Sequence, residues 1–119
     1  MNKKKMIPKL RRKLFRLLSK RIHEDFDNAC CMCGAKGKVD CHHIVSRTIA
    51  RLSFEPLNCV LLCSSCHKFS RHSAHKNPVN FILWLIKNEK ERFDYIVAHM
   101  NEDVKYSLDD LLEIEKNLQ

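Results

Sequence analysis

Four of the cysteines form two Cys-x-x-Cys pairs, a spacing typical of metal sites. The pairs are Cys30 with Cys33 and Cys63 with Cys66. A two-residue gap lets both sulfurs of a pair reach one ion while the backbone turns around it, and zinc prefers four such ligands in a tetrahedron. We therefore expect these cysteines to bind one structural zinc ion, with Gly34 supplying the positive φ that such a turn needs.

Two other interpretations of the cysteines stay open. The chain has seven cysteines, an odd number, and its charged N-terminal residues do not fit a signal peptide, which argues against a disulfide framework. We accordingly expect a reducing, cytoplasmic setting. Cys41 and Cys59 lie in apolar runs and are interpreted as buried free thiols.

Histidines and one asparagine lie between and beside the cysteine pairs. They are His42 and His43, which are adjacent, Asn58 before the second pair, and His67 directly after it. Hydrolysis of a phosphodiester needs a base that deprotonates water and a cation that holds a phosphate oxygen. Histidine has an unperturbed pKa of about 6.5 and can serve as a base or as a metal ligand. The set therefore predicts a metal site that cuts phosphodiester bonds.

The order of these residues resembles that of the HNH endonucleases, a family with the ββα-metal fold. The resemblance covers about residues 30–75, in the runs Cys-x-x-Cys, Cys-His-His-Ile-Val and Leu-Asn-Cys-Val-Leu-Leu-Cys-Ser-Ser-Cys-His. It implies that His43 is the general base and that Asn58 holds the loop and orients this base. It also implies that His42 and His67 bind one catalytic divalent ion, which is Mg, Mn, Ni or Zn in such enzymes.

The segment after the motif resembles phage-encoded members of the same family. This similarity makes His75 and His72 candidates for a further metal or phosphate contact, with a merely polar loop as the alternative. It also suggests a phage-encoded protein in a bacterial host.

The adjacency of His42 and His43 sets a geometric condition. Successive side chains of a regular strand point to opposite faces. Both imidazoles can serve one site only if the strand ends or twists there, or if the base approaches the phosphate from the side opposite the metal.

Positive charge is concentrated at the N-terminal end. The net charge is +8, and residues 1–22 carry ten basic and no acidic side chains. Apolar residues recur at helical spacing from Ile7 to Phe26, which predicts an amphipathic helix of about five turns with a basic outer face. Such a face favours DNA binding, and a solvated charged surface is the alternative. The expected DNA contacts are Lys9, Arg12, Lys13, Arg16, Lys20, Arg47 and Arg51.

The whole pattern predicts one α+β, mostly helical domain over residues 1–119. We divide it into a basic N-terminal helix (1–28), a zinc-stapled ββα-metal core (29–76) and C-terminal helices (77–119). The expected elements in the last two parts are strands over 39–45 and 59–62, a helix over 65–71 capped by Ser64, a buried helix over 78–88, and helical turns around 93–100 and after Ser107. No run is long and apolar enough for a membrane span, so no membrane partner is expected.

The expected function is hydrolysis of DNA with low sequence specificity, because no element that reads bases is identifiable. RNA, branched DNA or single-stranded DNA are alternative substrates. A non-catalytic zinc module that binds DNA or a protein is the alternative function. The apolar helices after Pro78 could form a core or a homodimer interface.

Overall fold

The computed structural model describes residues 2–119 as an α+β fold in which helices surround one two-stranded antiparallel hairpin. The coarse class expected from the sequence is therefore confirmed. The main elements are α1 (Lys3–Asp25), β1 (Val39–His43), β2 (Cys59–Cys63), α2 (Pro78–Asn88), α3 (Lys90–His99) and α4 (Leu108–Leu118). Three short helical turns lie between them, at Ala50–Leu52, Pro56–Asn58 and Ser65–Phe69.

Helix α1 begins earlier than its apolar pattern predicts. Asn2 caps it, because its Oδ1 accepts the backbone N–H of Lys5 at 3.1 Å, and Pro8 lies inside the helix. One face carries Leu14, Leu18 and Ile22, all fully buried. The helix ends as expected before Asp27 and Asn28, which both adopt a positive φ.

The hairpin separates two apolar clusters. Val39 lies opposite Cys63 and His43 opposite Cys59, and residues 59–62 of β2 have no exposed surface. Cys59 and Leu61 pack with α1, whereas Val60 and Leu62 pack with α2. A strand covered on both faces reads as an unbroken apolar run, which explains the sequence of β2. The side chains of β1 point alternately to the same two faces.

Two local expectations are wrong. The chain from Ser65 to Phe69 forms a single π-helical turn, and Ser64 does not cap it, because Ser64 itself adopts helical angles and makes no capping hydrogen bond. Helix α2 has the expected bounds but is buried on one face only. Phe81 and Leu85 are buried, whereas Val79 is 69% exposed.

Helix α4 closes the fold against α1. Ser107 caps α4 as expected and forms a reciprocal capping box with Asp110. Leu111 is fully buried in the cluster that also contains Leu14 and Leu18. No helix within residues 2–119 combines the length and the hydropathy that a membrane span requires.

Candidate metal and catalytic site

The two Cys-x-x-Cys pairs come together at one end of the hairpin. The sulfurs of Cys30, Cys33, Cys63 and Cys66 all lie within 4.8 Å of one another, and those of Cys33 and Cys63 are 3.6 Å apart. Sulfurs bound tetrahedrally at the usual zinc distance would be separated by about 3.8 Å. The cluster could therefore hold a metal ion, and its dimensions are compatible with zinc.

Backbone hydrogen bonds fix the turn that follows Cys30. Gly34 adopts a φ of +78°, as expected, and donates its backbone N–H to the Cys30 carbonyl at 2.8 Å. The backbone N–H of Cys31 donates to Leu61 in β2, which fixes the turn against the hairpin. Burial raises the pKa of the Cys30 thiol, but hydrogen bonds from the backbone of Cys63 and of the turn lower it to about 7. The lowered pKa favours the thiolate form of Cys30, which is the form that binds a metal.

Three imidazoles converge on the α2 side of the hairpin. The ligand nitrogens of His42, His67 and His75 lie within 4.8 Å of one another, and the Nε2 atoms of His67 and His75 are 3.0 Å apart. Nitrogens bound to one ion at about 2.0–2.1 Å stand roughly 3.4 Å apart in a tetrahedron. The three side chains thus have the donor type and the spacing of a metal site.

Backbone hydrogen bonds bring these histidines together. His42 is on β1, and His67 is in the helical turn that follows Cys66. The chain then folds back, since Ala74 donates its backbone N–H to the carbonyl of Cys66 and His75 to that of His67. His42 also packs edge-on against Phe81, with ring centroids 5.4 Å apart. Both the four-cysteine cluster and α2 therefore position the imidazoles.

Two of the imidazoles, His42 and His67, have lowered pKa values, which favours the neutral form that a metal ligand needs. Burial, reinforced by repulsion from His67 and His75, lowers the pKa of His42 to about 3. Burial also lowers the pKa of His67, and its buried Nδ1 has no hydrogen-bond partner within residues 2–119. The Oδ2 atom of Asp40 lies 3.7 Å from that nitrogen, beyond hydrogen-bond range but close enough to favour a positive charge there.

His43 points to the opposite face of the hairpin. Its ring lies edge-on to Phe15 of α1, with centroids 5.8 Å apart, and its Nε2 is 2.9 Å from the carbonyl oxygen of Ser53. A carbonyl only accepts, so Nε2 carries the proton and Nδ1 has the free lone pair. Burial lowers the pKa of His43, which keeps it neutral. The alternation expected for a regular strand therefore holds, and β1 ends at His43.

Asn58 clasps the loop between the two strands. Its side chain is fully buried, its Nδ2 donates to the carbonyls of Val45 and Leu52, and its Oδ1 accepts the backbone N–H of Val45 at 2.9 Å. Leu52 directly precedes Ser53, whose carbonyl holds His43. Asn58 does not touch the imidazole in this hydrogen-bond network, and it acts on His43 through the backbone of the loop.

Some of the other candidate residues are exposed, and others are bound to side chains of the protein. His72 is exposed and lies outside the imidazole cluster, so His75 is the residue of that pair which the structure brings to the site. Arg47 is exposed and stacks on Phe15, beside His43. Arg51 is bound to Glu102 at 2.8 Å and to the hydroxyl of Tyr95 at 2.7 Å.

The basic stripe of α1 is largely exposed. Lys9, Arg12, Arg16 and Lys20 face solvent, whereas Lys13 forms an ion pair of 2.6 Å with Glu115 of α4. Lys13 and Arg51 are therefore less available to a nucleic-acid backbone than sequence position suggests.

The sequence does not indicate that Cys41, His43 and Cys59 lie together. Cys41 and Cys59, interpreted as isolated buried thiols, lie with His43 on the α1 face, and one ligand atom from each of the three lies within 4.8 Å of the others. The three residues lie together because side chains alternate along β1 and because the hairpin register places His43 opposite Cys59. The sequence alone does not give this register.

Comparison of the chain with protein-family models, with curated proteins and with solved structures finds no match.

Proposed function

We propose that the protein is a metal-dependent endonuclease of the HNH type that hydrolyses phosphodiester bonds in DNA. The observation that carries this proposal is the cluster of His42, His67 and His75 beside the strand end that holds His43. Packing of the core does not require three imidazoles at metal-ligand spacing next to a fourth whose tautomer is fixed by a hydrogen bond.

The four-cysteine cluster is proposed to bind structural zinc. Its four thiols come from the turn after α1, from the end of β2 and from the helical turn that carries His67. Zinc there would fix His67 relative to β1, and therefore relative to His42. Four protein ligands would fill the tetrahedral coordination of the ion and leave no open position, as is typical of a structural site.

The three imidazoles are proposed to hold the catalytic divalent ion. When bound, such an ion supplies positive charge to a non-bridging phosphate oxygen and to the leaving alkoxide. An all-imidazole donor set suits Ni or Zn best, whereas Mg and Mn prefer oxygen ligands, which at this site would come from water and phosphate. Three protein ligands leave further coordination positions open to water and substrate.

His43 is proposed as the general base. The carbonyl of Ser53 holds its Nε2–H, so Nδ1 is the atom that accepts a proton from water. Because burial keeps the ring neutral, this lone pair is available at neutral pH. Asn58 is a positioning residue, since it fixes the loop that carries Ser53.

The opposed directions of His42 and His43 restrict where the phosphate binds. It must lie at the end of β1, where regular alternation stops and the loop toward Val45 begins. There the base and the metal would face the scissile phosphate from different sides. Arg47, beside His43, and the exposed basic residues of α1 are proposed to contact flanking phosphates.

Cleavage of supercoiled plasmid DNA by the zinc-loaded protein tests the proposal. We expect nicking with Mn or Ni that a chelator abolishes, and we expect His43→Ala to nick at least about a hundredfold more slowly, a typical loss for a general base. His72→Ala, which alters an exposed histidine outside the cluster, is the matched control and keeps full activity.

Two outcomes would overturn the proposal. Undiminished cleavage by His43→Ala would remove this residue as the base. DNA binding without cleavage under any of the divalent ions would leave a non-catalytic zinc module instead.

A further inference from the structure

A third cluster of metal-binding side chains lies on the α1 face of the hairpin. It consists of Cys41, His43 and Cys59, with one ligand atom of each within 4.8 Å of the others. In the hairpin register His43 faces Cys59 directly, and Cys41 lies two residues along β1 on the same face. The cluster shares no residue with the four-cysteine cluster or with the imidazole cluster.

The orientation of His43 suits a metal ligand. Histidines that bind metals usually donate their other ring N–H to a carboxylate, a backbone carbonyl or water, which fixes the tautomer. The hydrogen bond from Nε2 to Ser53 at 2.9 Å does this and leaves Nδ1 as the ligand atom. This observation is independent of the distances to the two sulfurs.

The donor set selects a soft ion. Two thiolates and one imidazole suit zinc and its thiophilic analogues, and three protein ligands leave one coordination position for water. Cys59 is fully buried, but Cys41 and His43 are only partly buried, so an ion has a way in from their side. Magnesium and manganese prefer oxygen ligands and would compete poorly here.

We propose that Cys41, His43 and Cys59 form an inhibitory zinc site. Binding displaces the two thiol protons to solvent and engages the Nδ1 lone pair of His43, with no change of oxidation state. The same lone pair cannot then accept a proton from water. The inhibitory consequence rests on the proposed function, because it requires His43 to be the base, whereas the metal site itself does not.

Cobalt titration of the zinc-loaded protein tests the site without reference to activity. Thiolate ligands give Co²⁺ a ligand-to-metal charge-transfer absorption that imidazoles alone do not give. With the four-cysteine cluster filled by zinc, we expect this absorption to appear and to saturate within two equivalents of cobalt, because the imidazole cluster also binds the ion but contributes no thiolate band. We expect Cys41→Ala and Cys59→Ala each to lose it.

Cys31→Ala is the matched control, because Cys31 is partly buried and belongs to none of the three clusters. It should keep the absorption. Absence of the band from the unsubstituted protein, or its persistence in Cys41→Ala, would overturn the site. Circular dichroism checks that Cys59→Ala folds, because this position is fully buried. If Cys59→Ala does not fold, the result for Cys41→Ala decides whether the metal site exists.

Zinc inhibition of nicking then tests the consequence. With manganese as the active ion, added zinc should lower the nicking rate of the unsubstituted protein and of Cys31→Ala at least tenfold. The nicking rate of Cys41→Ala should fall less than twofold. Equal inhibition of all three would refute an inhibitory role for this site. If no variant cleaves DNA under any condition, the proposed function fails, and the cobalt result still decides whether the site exists.

Discussion

Asn58 is a buried polar side chain beside the candidate site. It is fully buried and makes three hydrogen bonds to the backbone of Val45 and Leu52. Removal of such a buried amide leaves its backbone partners without a hydrogen bond. Each unpaired buried group costs about 1–3 kcal/mol of stability.

We expect Asn58→Ala to lower the free energy of unfolding by about 2–4 kcal/mol, since it strands buried backbone groups and leaves a small cavity. Urea unfolding measures the change, and Asn101→Ala, at an exposed position, is the control. A loss of less than about 0.5 kcal/mol would show that the clasp adds little to stability.

The sequence singled out His42, His43 and His67 as candidate site residues, but not which histidines lie together in the structure. The adjacency of His42 and His43 indicated chemistry, and alternation along the strand placed them on opposite faces. His75 was only one of two candidates, because its approach to His67 depends on backbone hydrogen bonds of an irregular loop. No local pattern encodes such a loop.

At the scale of elements, the four-cysteine cluster joins three separate segments of the chain. It links the turn after α1 to the end of β2 and to the helical turn of residues 65–69. That turn is short and has no capping side chain, so its own propensity cannot stabilise it.

We expect Cys66→Ser to abolish stoichiometric zinc binding at this cluster and to lower the melting temperature by more than 10 °C, because metal-binding free energy at a structural site is folding free energy. Metal analysis and thermal unfolding measure both effects. Cys31→Ser, outside the cluster, should change neither. A chelated protein that kept its melting temperature would contradict a structural role for zinc.

The capping box of α4 makes part of the stability depend on pH. Hydrogen bonds from the backbone and side chain of Ser107 lower the pKa of Asp110 below its ordinary value. The unfolded chain therefore binds the proton more tightly than the folded chain. This contribution is complete above the unfolded pKa and is lost as the pH falls through the lower folded pKa.

We expect Asp110→Ala to be destabilised at pH 7 and the difference from the unsubstituted protein to shrink as the pH falls below about 3.9, the ordinary pKa of an aspartate. Denaturant unfolding across this range measures the difference. Asp109→Ala, which removes a neighbouring carboxylate outside the capping box, is the control. A difference that grew at low pH would contradict the assignment.

The elements themselves were largely predictable. Helices α2 and α4 have clear start signals in Asn77-Pro78 and Ser107, and the structure places their first residues there. The turn at Ser65 differs from the prediction because Ser64 has the type of a capping residue but itself adopts helical angles and makes no capping hydrogen bond. The exposed face of α2 was missed because its sequence is apolar nearly all round.

At the scale of the whole molecule, the distribution of charge predicts which surface would contact DNA under the proposed function. Arg16 of α1 faces solvent, whereas Lys13, one turn before, is paired with Glu115 of α4. A phosphate that contacts Arg16 would release counterions directly, but one that contacts Lys13 must compete with a carboxylate.

We expect Arg16→Ala to weaken DNA binding and to reduce the slope of log K against log salt by about 0.9, the value for one phosphate contact. Lys13→Ala should change the slope by less than half as much. Fluorescence anisotropy with a short duplex over a range of salt concentrations measures both. Equal slopes for the two variants and the unsubstituted protein would show that this face of α1 does not meet DNA.

The division of labour between His42 and His43 is tested most directly by the manganese dependence of plasmid nicking in His42→Ala and His43→Ala. If His42 binds the ion and His43 is the base, His42→Ala needs a higher manganese concentration for half-maximal rate and recovers activity as manganese is raised. His43→Ala should keep the half-maximal concentration and stay slow at every concentration, with partial recovery when free imidazole is added. The opposite pattern, or the same response in both variants, would contradict the account.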